Sequence, residues 1–87
     1  MNSEDIKAKV VAIIVDKLNV SAEEVVSTAH FANDLGADSL DQVELVMEFE
    51  KEFDLYIKDE QSTALQTVGS VIEFLERSLN DRKSGAS

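Results

Sequence analysis

The sequence predicts a small all-α protein, a four-helix bundle made of three main helices and one short helix. Apolar residues recur every three or four positions along most of its 87 residues, which is the spacing of one helix face. No segment shows the alternation of apolar and polar residues that is typical of a half-buried strand. Proline is absent and there are only three glycines, so few residues interrupt the helical patterns. These observations favour a single bundle without a second domain.

The first helix is predicted to begin at Ser3, which can cap it, with Glu4 and Asp5 in the first turn, where carboxylates are favourable. The next segment, Ser21-Ala22-Glu23-Glu24, matches a capping box and predicts a short helical turn. The apolar stripe of the first helix should face the core, and it consists of Ile6, Val10, Ile13, Ile14 and Leu18.

Residues 26–37 lack periodicity, and we expect a long ordered loop held in place by Phe31 and Leu35. A second helix should begin at Asp38 or Ser39 and end near Phe53, followed by a short helical turn over residues 59–64. Residues 1–79 form the predicted domain, and the polar residues 80–87 form a predicted frayed tail. Thr67 should cap the last helix, whose apolar face contains Val68, Val71, Ile72, Leu75 and Leu79.

The net charge of −10 limits the classes of partner. Nucleic acids and anionic membranes would repel such a chain, whereas basic protein surfaces would attract it. There is no cysteine, so the chain supplies neither a disulfide, nor a thiolate metal ligand, nor a thiol for thioester chemistry. The N-terminal residues lack the basic and apolar regions of a secretory signal and no apolar run has membrane-spanning length, so we expect a soluble protein.

The run Asp34-Leu35-Gly36-Ala37-Asp38-Ser39-Leu40-Asp41 places a serine at a loop-to-helix junction among carboxylates. A catalytic serine needs a neighbouring base, but the single histidine, His30, lies nine positions upstream of Ser39, so a serine hydrolase is disfavoured. His30 also has no second imidazole or thiolate with which to bind a metal. From the residues alone, Ser39 is either an attachment point or a plain helix cap. Asp38 is either the cap or an acidic contact for a partner.

The surrounding residues make this run specific. Residues 34–54, DLGADSLDQVELVMEFEKEFD, closely resemble acyl carrier proteins of the discrete, type II fatty-acid-synthesis kind, and a weaker likeness extends from about Ile6 to Leu75. The resemblance implies a non-enzymatic carrier whose Ser39 holds a 4'-phosphopantetheine arm derived from coenzyme A. The thiol of the arm would carry growing fatty acyl chains as thioesters.

The resemblance also implies a set of partners. They are the phosphopantetheinyl transferase that installs the arm and the synthases, transacylases, reductases and dehydratase of fatty acid biosynthesis, which bind the carrier through basic surfaces. A monomer in the bacterial cytoplasm is the expected setting, with an organellar matrix or plastid, after removal of a transit peptide, as the alternative.

The second helix has a wider apolar arc than burial requires. Leu45, Val46, Phe49 and Phe53 form a sufficient core stripe at about 100° per residue. A second apolar patch around Leu40, Val43 and Met47 is ringed by acidic residues, and residues 38–60 contribute −7 of the net charge. Such a surface suits a basic partner, although a solvated face with single exposed apolar residues is the simpler alternative. The predicted recognition residues are Asp38, Leu40, Asp41, Glu44, Met47 and Glu48.

The interior has two interpretations. By resemblance, several core residues should line a cavity that shelters the acyl chain, whereas composition alone favours ordinary close packing. A loaded form that is more stable than the unloaded form would support the cavity. The residues expected to face the interior are Phe31, Val46, Phe49, Phe53, Ile57, Leu65, Val71 and Phe74.

The turn after the second helix departs from the family pattern. Lys58 stands where the family often has a proline, so we expect this turn to lack the rigidity that a proline would give.

Other functions stay open from the sequence. The same site would also suit a carrier for polyketide or peptide assembly, or an organellar carrier that docks as a subunit of respiratory or iron–sulfur assembly complexes. From a different class, an acidic helical interaction module without a prosthetic group would need the patch but not Ser39.

Overall fold

A computed structural model of the chain describes the backbone of residues 2–86 and the side chains of residues 2–80. The predicted all-α class is confirmed, with three main helices and one short helix. Within residues 2–86, the β-type pairing is limited to an isolated antiparallel bridge between His30 and Thr67. The elements are α1 (Ser3–Leu18), a 3₁₀ turn (Ala22–Glu24), α2 (Ser39–Phe53), α3 (Asp59–Ser62) and α4 (Val68–Ala86).

Helix α1 is capped by Asn2, one residue before the predicted cap. The Asn2 side-chain oxygen accepts a hydrogen bond of 2.9 Å from the backbone N–H of Asp5. The prediction of Ser3 as the cap was therefore wrong, because asparagine caps as well as serine does. The Ser3 hydroxyl instead donates to Glu76 Oε2 of α4 at 2.8 Å. The helix ends at Asn19, which adopts a left-handed conformation.

The segment between α1 and α2 is ordered by backbone hydrogen bonds. Ser21 makes no side-chain capping bond, so the predicted capping box was wrong, and the turn is closed by the Glu24 N–H donating to the Ser21 carbonyl at 3.1 Å. Phe31 and Leu35 are buried, which confirms their predicted role in holding the loop. The Phe31 N–H also donates to the Gln66 carbonyl at 3.0 Å, which ties the loop to the residue preceding Thr67.

The core lies between α1, α2 and α4, with α1 packed against both of the other two helices. Fully burying a large apolar side chain contributes about 1.5–3 kcal/mol, so this stripe-to-stripe packing supplies most of the stabilisation. Thr67 caps α4 as predicted, because its hydroxyl oxygen accepts from the Ser70 N–H at 3.2 Å. The predicted stripes are buried at Ile6, Val10, Ile14, Leu45, Phe49, Phe53, Val68, Val71 and Leu75, and partly buried at Ile13, Leu18, Val46, Ile72 and Leu79.

The turn after α2 is held without a proline. Asp54 ends the helix in a left-handed conformation with φ 53°, and the buried Ile57 follows. The carboxylate of Glu50 accepts a hydrogen bond of 2.7 Å from the Ile57 N–H. Helix α3 then begins after Lys58, whose N–H donates to the Gln61 side chain at 3.0 Å. These bonds fix the position of α3 relative to α2.

The backbone of α4 continues as a helix to Ala86. The predicted boundary at residue 79 falls inside this helix. Side chains are described up to Asn80, so most of the predicted frayed tail, residues 80–87, lies outside the residues whose side chains are described, and the tail stays a prediction.

Candidate functional site

Ser39 is the first residue of α2, and Asp38 is its N-cap. The Asp38 carboxylate accepts from the Asp41 N–H at 2.8 Å, and the Asp41 carboxylate accepts from the Asp38 N–H at 3.1 Å. The sequence left open whether Asp38 or Ser39 caps the helix, and this reciprocal capping box shows that Asp38 does. Ser39 is exposed, and its hydroxyl has no hydrogen-bond partner among the described residues. The cap therefore leaves the serine hydroxyl accessible.

The loop before Asp38 sets the direction in which α2 begins. Gly36 has φ 71°, a left-handed conformation that glycine adopts without strain. The next residue, Ala37, is buried, and its N–H donates to the Phe31 carbonyl at 2.8 Å. The loop is thus anchored on the core immediately before Asp38, which holds the first turn of α2, and with it Ser39, at the surface.

The electrostatics around Ser39 are mixed. A helix N-terminus carries a partial positive charge and free N–H groups that favour an anion. The N–H groups of Ser39 and Leu40 have no partner within the described part of the chain. The carboxylates of Asp38 and Asp41, however, bond to each other's N–H groups and place negative charge beside the serine. A phosphodiester at Ser39 would therefore stay at the surface, accessible to other proteins.

His30 lies on the exposed loop, as expected, where its N–H donates to the Asp34 carboxylate at 2.7 Å. Among the described residues, no group of three or more histidine, cysteine or acidic side chains is arranged to hold a metal ion. Within residues 2–86, no helix combines the length and the apolar character needed to cross a membrane.

The predicted second apolar patch of α2 is exposed. Leu40, Val43 and Met47 are 65%, 55% and 59% exposed, respectively. These values are high for large apolar side chains that share one face of a helix and lie within three turns of Ser39. We call these three residues the apolar patch. Their exposure confirms the arc predicted for α2, and their role in recognition stays a prediction.

The acidic residues of α2 divide into two groups. Glu52 is 3.1 Å from Lys9 and Glu48 is 3.8 Å from Lys17, so both face α1 and are partly neutralised there. Glu44 forms no ion pair with the described residues. The predicted acidic rim is therefore strongest on the side of Asp38, Asp41 and Glu44, and Glu48 lies at its edge.

A cleft of about 300 Å³ opens between α2 and α3, and Ser39 lies on its wall. This volume is at the lower end of the range of about 300–1,000 Å³ for small-molecule sites. Five of the residues predicted to line an interior cavity line this cleft: Phe31, Val46, Phe49, Leu65 and Val71.

Phe53, Ile57 and Phe74 were also predicted to line the cavity but are absent from the wall of the cleft. Phe53 is the last residue of α2, and Ile57 lies in the turn beyond it, whereas the cleft follows the part of α2 between Ser39 and Phe49. Phe74 is partly buried against the core. The role of these three residues in lining an acyl cavity stays a prediction.

Sequence reasoning missed several residues of the cleft. Gln42 lies one helical turn after Ser39, so the helix periodicity alone could have placed it on the same wall. Asp59, Ser62 and Thr63 also line the cleft, but no sequence pattern indicates that α3 covers this part of α2.

A small helical domain that exposes an unbonded serine hydroxyl beside an apolar cleft, with no histidine next to it in the described part of the chain, is typical of a carrier domain. Comparison with known families supports this class, since residues 8–75 match the family model described as a phosphopantetheine attachment site.

The chain is also similar to curated acyl carrier proteins. It is 53% identical to one from Porphyromonas gingivalis over 75 residues, which cover 86% of this chain and 96% of the relative. It is 54% identical to one from Amoebophilus asiaticus over 78 residues (90% and 98%) and 48% identical to one from Karelsulcia muelleri over 80 residues (92% and 96%). The chain belongs to the acyl carrier protein family. It is a carrier and not a catalyst.

The cofactor of this family is covalently attached 4'-phosphopantetheine. The site fits such a group, since an exposed hydroxyl without a hydrogen-bond partner can be esterified without breaking any interaction of the folded protein. When bound, the group supplies the thiol that the chain lacks, which holds acyl groups as thioesters.

Proposed function

We propose that Ser39 carries the 4'-phosphopantetheine and that the chain delivers growing acyl chains between the enzymes of type II fatty acid biosynthesis. The single observation that carries the assignment to Ser39 is its position. It is the first residue of α2, exposed, and located on the wall of the cleft. Asp38 supplies the cap in its place, so the fold does not need the Ser39 hydroxyl.

The acyl chain would lie in the cleft between α2 and α3. The lining includes Val46, Phe49, Leu65 and Val71, which offer an apolar surface to an alkyl group and remove it from water. Because the chain would bind only the folded state, longer acyl groups that fill more of the cleft should raise the stability of the loaded form.

Partner enzymes would bind the start of α2. The apolar patch (Leu40, Val43 and Met47) is exposed, and Asp38, Asp41, Glu44 and Glu48 lie around it. A partner with lysine and arginine side chains around a small apolar depression would complement this surface. The phosphopantetheinyl transferase, synthases, transacylases, reductases and dehydratase would share it. Since the relatives named above are bacterial, we propose that the chain acts in the cytoplasm. We also propose that it acts as a monomer.

Intact mass spectrometry after incubation with coenzyme A and a broad-specificity phosphopantetheinyl transferase tests the attachment. The parent should gain the mass of one phosphopantetheine, and Ser39→Ala should gain none. Ser21→Ala is the matched control, because Ser21 is also exposed near a helical turn and makes no side-chain capping bond, and this variant should load like the parent. Loading of Ser39→Ala, or no loading of a folded, unmodified parent, would overturn the proposal.

A further inference from the structure

A second cavity adjoins the apolar cleft and differs from it in chemistry. It has a volume of about 380 Å³, and Phe31, Gln42, Ser62 and Thr63 line both spaces. On its far side the wall is polar, with His30, Asn33 and Gln66. A chain that enters the apolar cleft beside Ser39 therefore passes hydrogen-bonding groups at the shared wall. We call this second space the polar cavity.

Some polar groups of this wall are already bonded within the protein. The Ser62 and Thr63 hydroxyls donate to the carbonyls of Asp59 and Glu60, each at 2.8 Å, and the Gln66 amide donates to the Thr63 carbonyl at 3.2 Å.

The side-chain amides of Gln42 and Asn33 make no hydrogen bond to any described residue. Gln42 is half-buried and belongs to both cavities, so its free amide is the polar group closest to a ligand in the cleft. Covering it with an alkyl chain would remove it from water without a replacement bond, which is unfavourable.

The charge of the wall restricts the ligand further. Among the residues whose side chains are described, no lysine or arginine lines the polar cavity, and the whole chain carries −10. A carboxylate or phosphate would find no strong counter-charge and would be repelled by the protein. An amide side chain can both donate and accept a hydrogen bond, so it suits a neutral hydroxyl or ketone oxygen.

We propose that the polar cavity binds a neutral oxygen substituent of the acyl chain, with Gln42 as the residue that recognises it. The carrier would then hold hydroxyacyl and ketoacyl groups with the alkyl part in the apolar cleft and the oxygen against Gln42 and Asn33. This inference rests on the proposed function, because the chain must first be attached at Ser39. Gln42 acts here as a specificity-determining residue for the bound acyl group.

The test compares thermal unfolding of defined forms. The parent, Gln42→Leu and Asn33→Ala are each loaded with octanoyl or 3-hydroxyoctanoyl phosphopantetheine, and mass spectrometry confirms one group per chain before any melting curve is recorded. For each variant the Tm of the hydroxyacyl form is compared with that of its own octanoyl form, so that changes in the intrinsic stability of the variant cancel. Val26→Ala is the control, since Val26 is exposed and lines neither cavity.

In the parent and in Val26→Ala, the 3-hydroxyoctanoyl form should melt no lower than the octanoyl form. In Gln42→Leu, the hydroxyacyl form should melt below the octanoyl form by about 4–8 °C, the shift expected for loss of one net hydrogen bond in a domain of this size. In Asn33→Ala, the Tm of the hydroxyacyl form should also lie below that of the octanoyl form, but by a smaller amount.

The same difference between the two acyl forms in the parent and in Gln42→Leu would overturn the inference. If Gln42→Leu lowered the Tm of the free-thiol form as much as that of the hydroxyacyl form, the inference would also be overturned, because the cavity would then bind the amides of the arm. Failure of the parent to load would instead refute the proposed function, so the two failures are distinguishable.

Discussion

The carboxylate of Glu50, in the last turn of α2, accepts a hydrogen bond of 2.7 Å from the backbone N–H of Ile57. Ile57 is buried, and the turn between them contains Asp54 in a left-handed conformation. The backbone N–H of Leu55 is also bonded, to the Glu50 carbonyl at 3.1 Å. One residue of α2 therefore holds both ends of the turn that leads to α3, and this contact replaces the rigidity that a proline would give.

Glu50→Ala should lower the free energy of unfolding by about 1.5–3 kcal/mol, the contribution of a hydrogen bond to a charged group. The N–H of the buried Ile57 would lose its acceptor, while the substitution itself is favourable for a helix. Glu50→Gln, which keeps an acceptor oxygen, should be less destabilising. Urea denaturation monitored by circular dichroism measures all three proteins.

Glu44→Ala is the matched control for this measurement. Glu44 is also in α2 and forms no ion pair with the described residues, so its removal should change stability by less than about 0.5 kcal/mol. An equal loss for Glu44→Ala and Glu50→Ala would show that the Glu50 contact does not stabilise the turn.

The helices could be predicted from the sequence because their stabilising interactions are local or periodic. The stripes of α1, α2 and α4 and the Thr67 cap were predicted from residues spaced within one or two turns. Periodicity does not encode contacts that are made across a turn. The hydrogen bond between the Glu50 carboxylate and the Ile57 N–H and the position of α3 beside the cleft are contacts of this kind. Phe31 and Val46 line the cleft and Phe53 does not, a difference that periodicity does not encode either, and the role of all three in holding an acyl chain stays a prediction.

The capping role of Asp38 can be separated from its charge. Asp38→Ala removes the acceptor for the Asp41 N–H and should lower stability by about 0.5–2 kcal/mol. Asp38→Asn keeps an acceptor at the same place and should have nearly the stability of the parent. If the charge also contacts the transferase, Asp38→Asn should lower kcat/KM for phosphopantetheine transfer, because a charge at the rim mainly accelerates association. Urea denaturation and initial rates of modification measure the two effects.

Asn2→Ala provides a cap-loss control far along the chain from Ser39. Asn2 caps α1, so this variant should lose stability like Asp38→Ala but should be modified at the parent rate. A parent-like rate for Asp38→Asn would restrict the role of Asp38 to capping.

Gly69 allows the close approach of α4 to the loop between α1 and α2. Its N–H donates to the Ser27 carbonyl at 2.9 Å, and a Cβ at position 69 would also lie 2.9 Å from that carbonyl oxygen. Gly69→Ala would gain up to about 1 kcal/mol from helix propensity. The contact is with backbone, which cannot rotate away, so the overpacking cost of about 1–3 kcal/mol should prevail. We expect a lower Tm by differential scanning calorimetry, and a Tm above that of the parent would contradict the clash.

The apolar patch provides a test of recognition that is independent of stability. Leu40 and Met47 are more than half exposed, so Leu40→Ala and Met47→Ala should change the free energy of unfolding by no more than about 0.5 kcal/mol. If these side chains enter a depression on a partner, each substitution should weaken binding about tenfold or more, as residues at the centre of an interface do. Isothermal titration calorimetry of the holo protein with a type II synthase measures the affinity.

Salt and a matched variant separate the apolar contribution from the charged one. Raising the ionic strength should weaken binding of the parent, because it screens the attraction between the acidic rim and a basic partner. Leu40→Ala and Met47→Ala keep every charge, so the relative loss of affinity with salt should equal that of the parent.

Val26→Ala is the control for the two patch variants. Val26 is 51% exposed but lies in the loop between α1 and α2, and Val26→Ala should bind like the parent. If Leu40→Ala and Met47→Ala lost no more affinity for the partner than Val26→Ala, the patch would be an ordinary solvated surface. Recognition would then rest on the acidic residues alone.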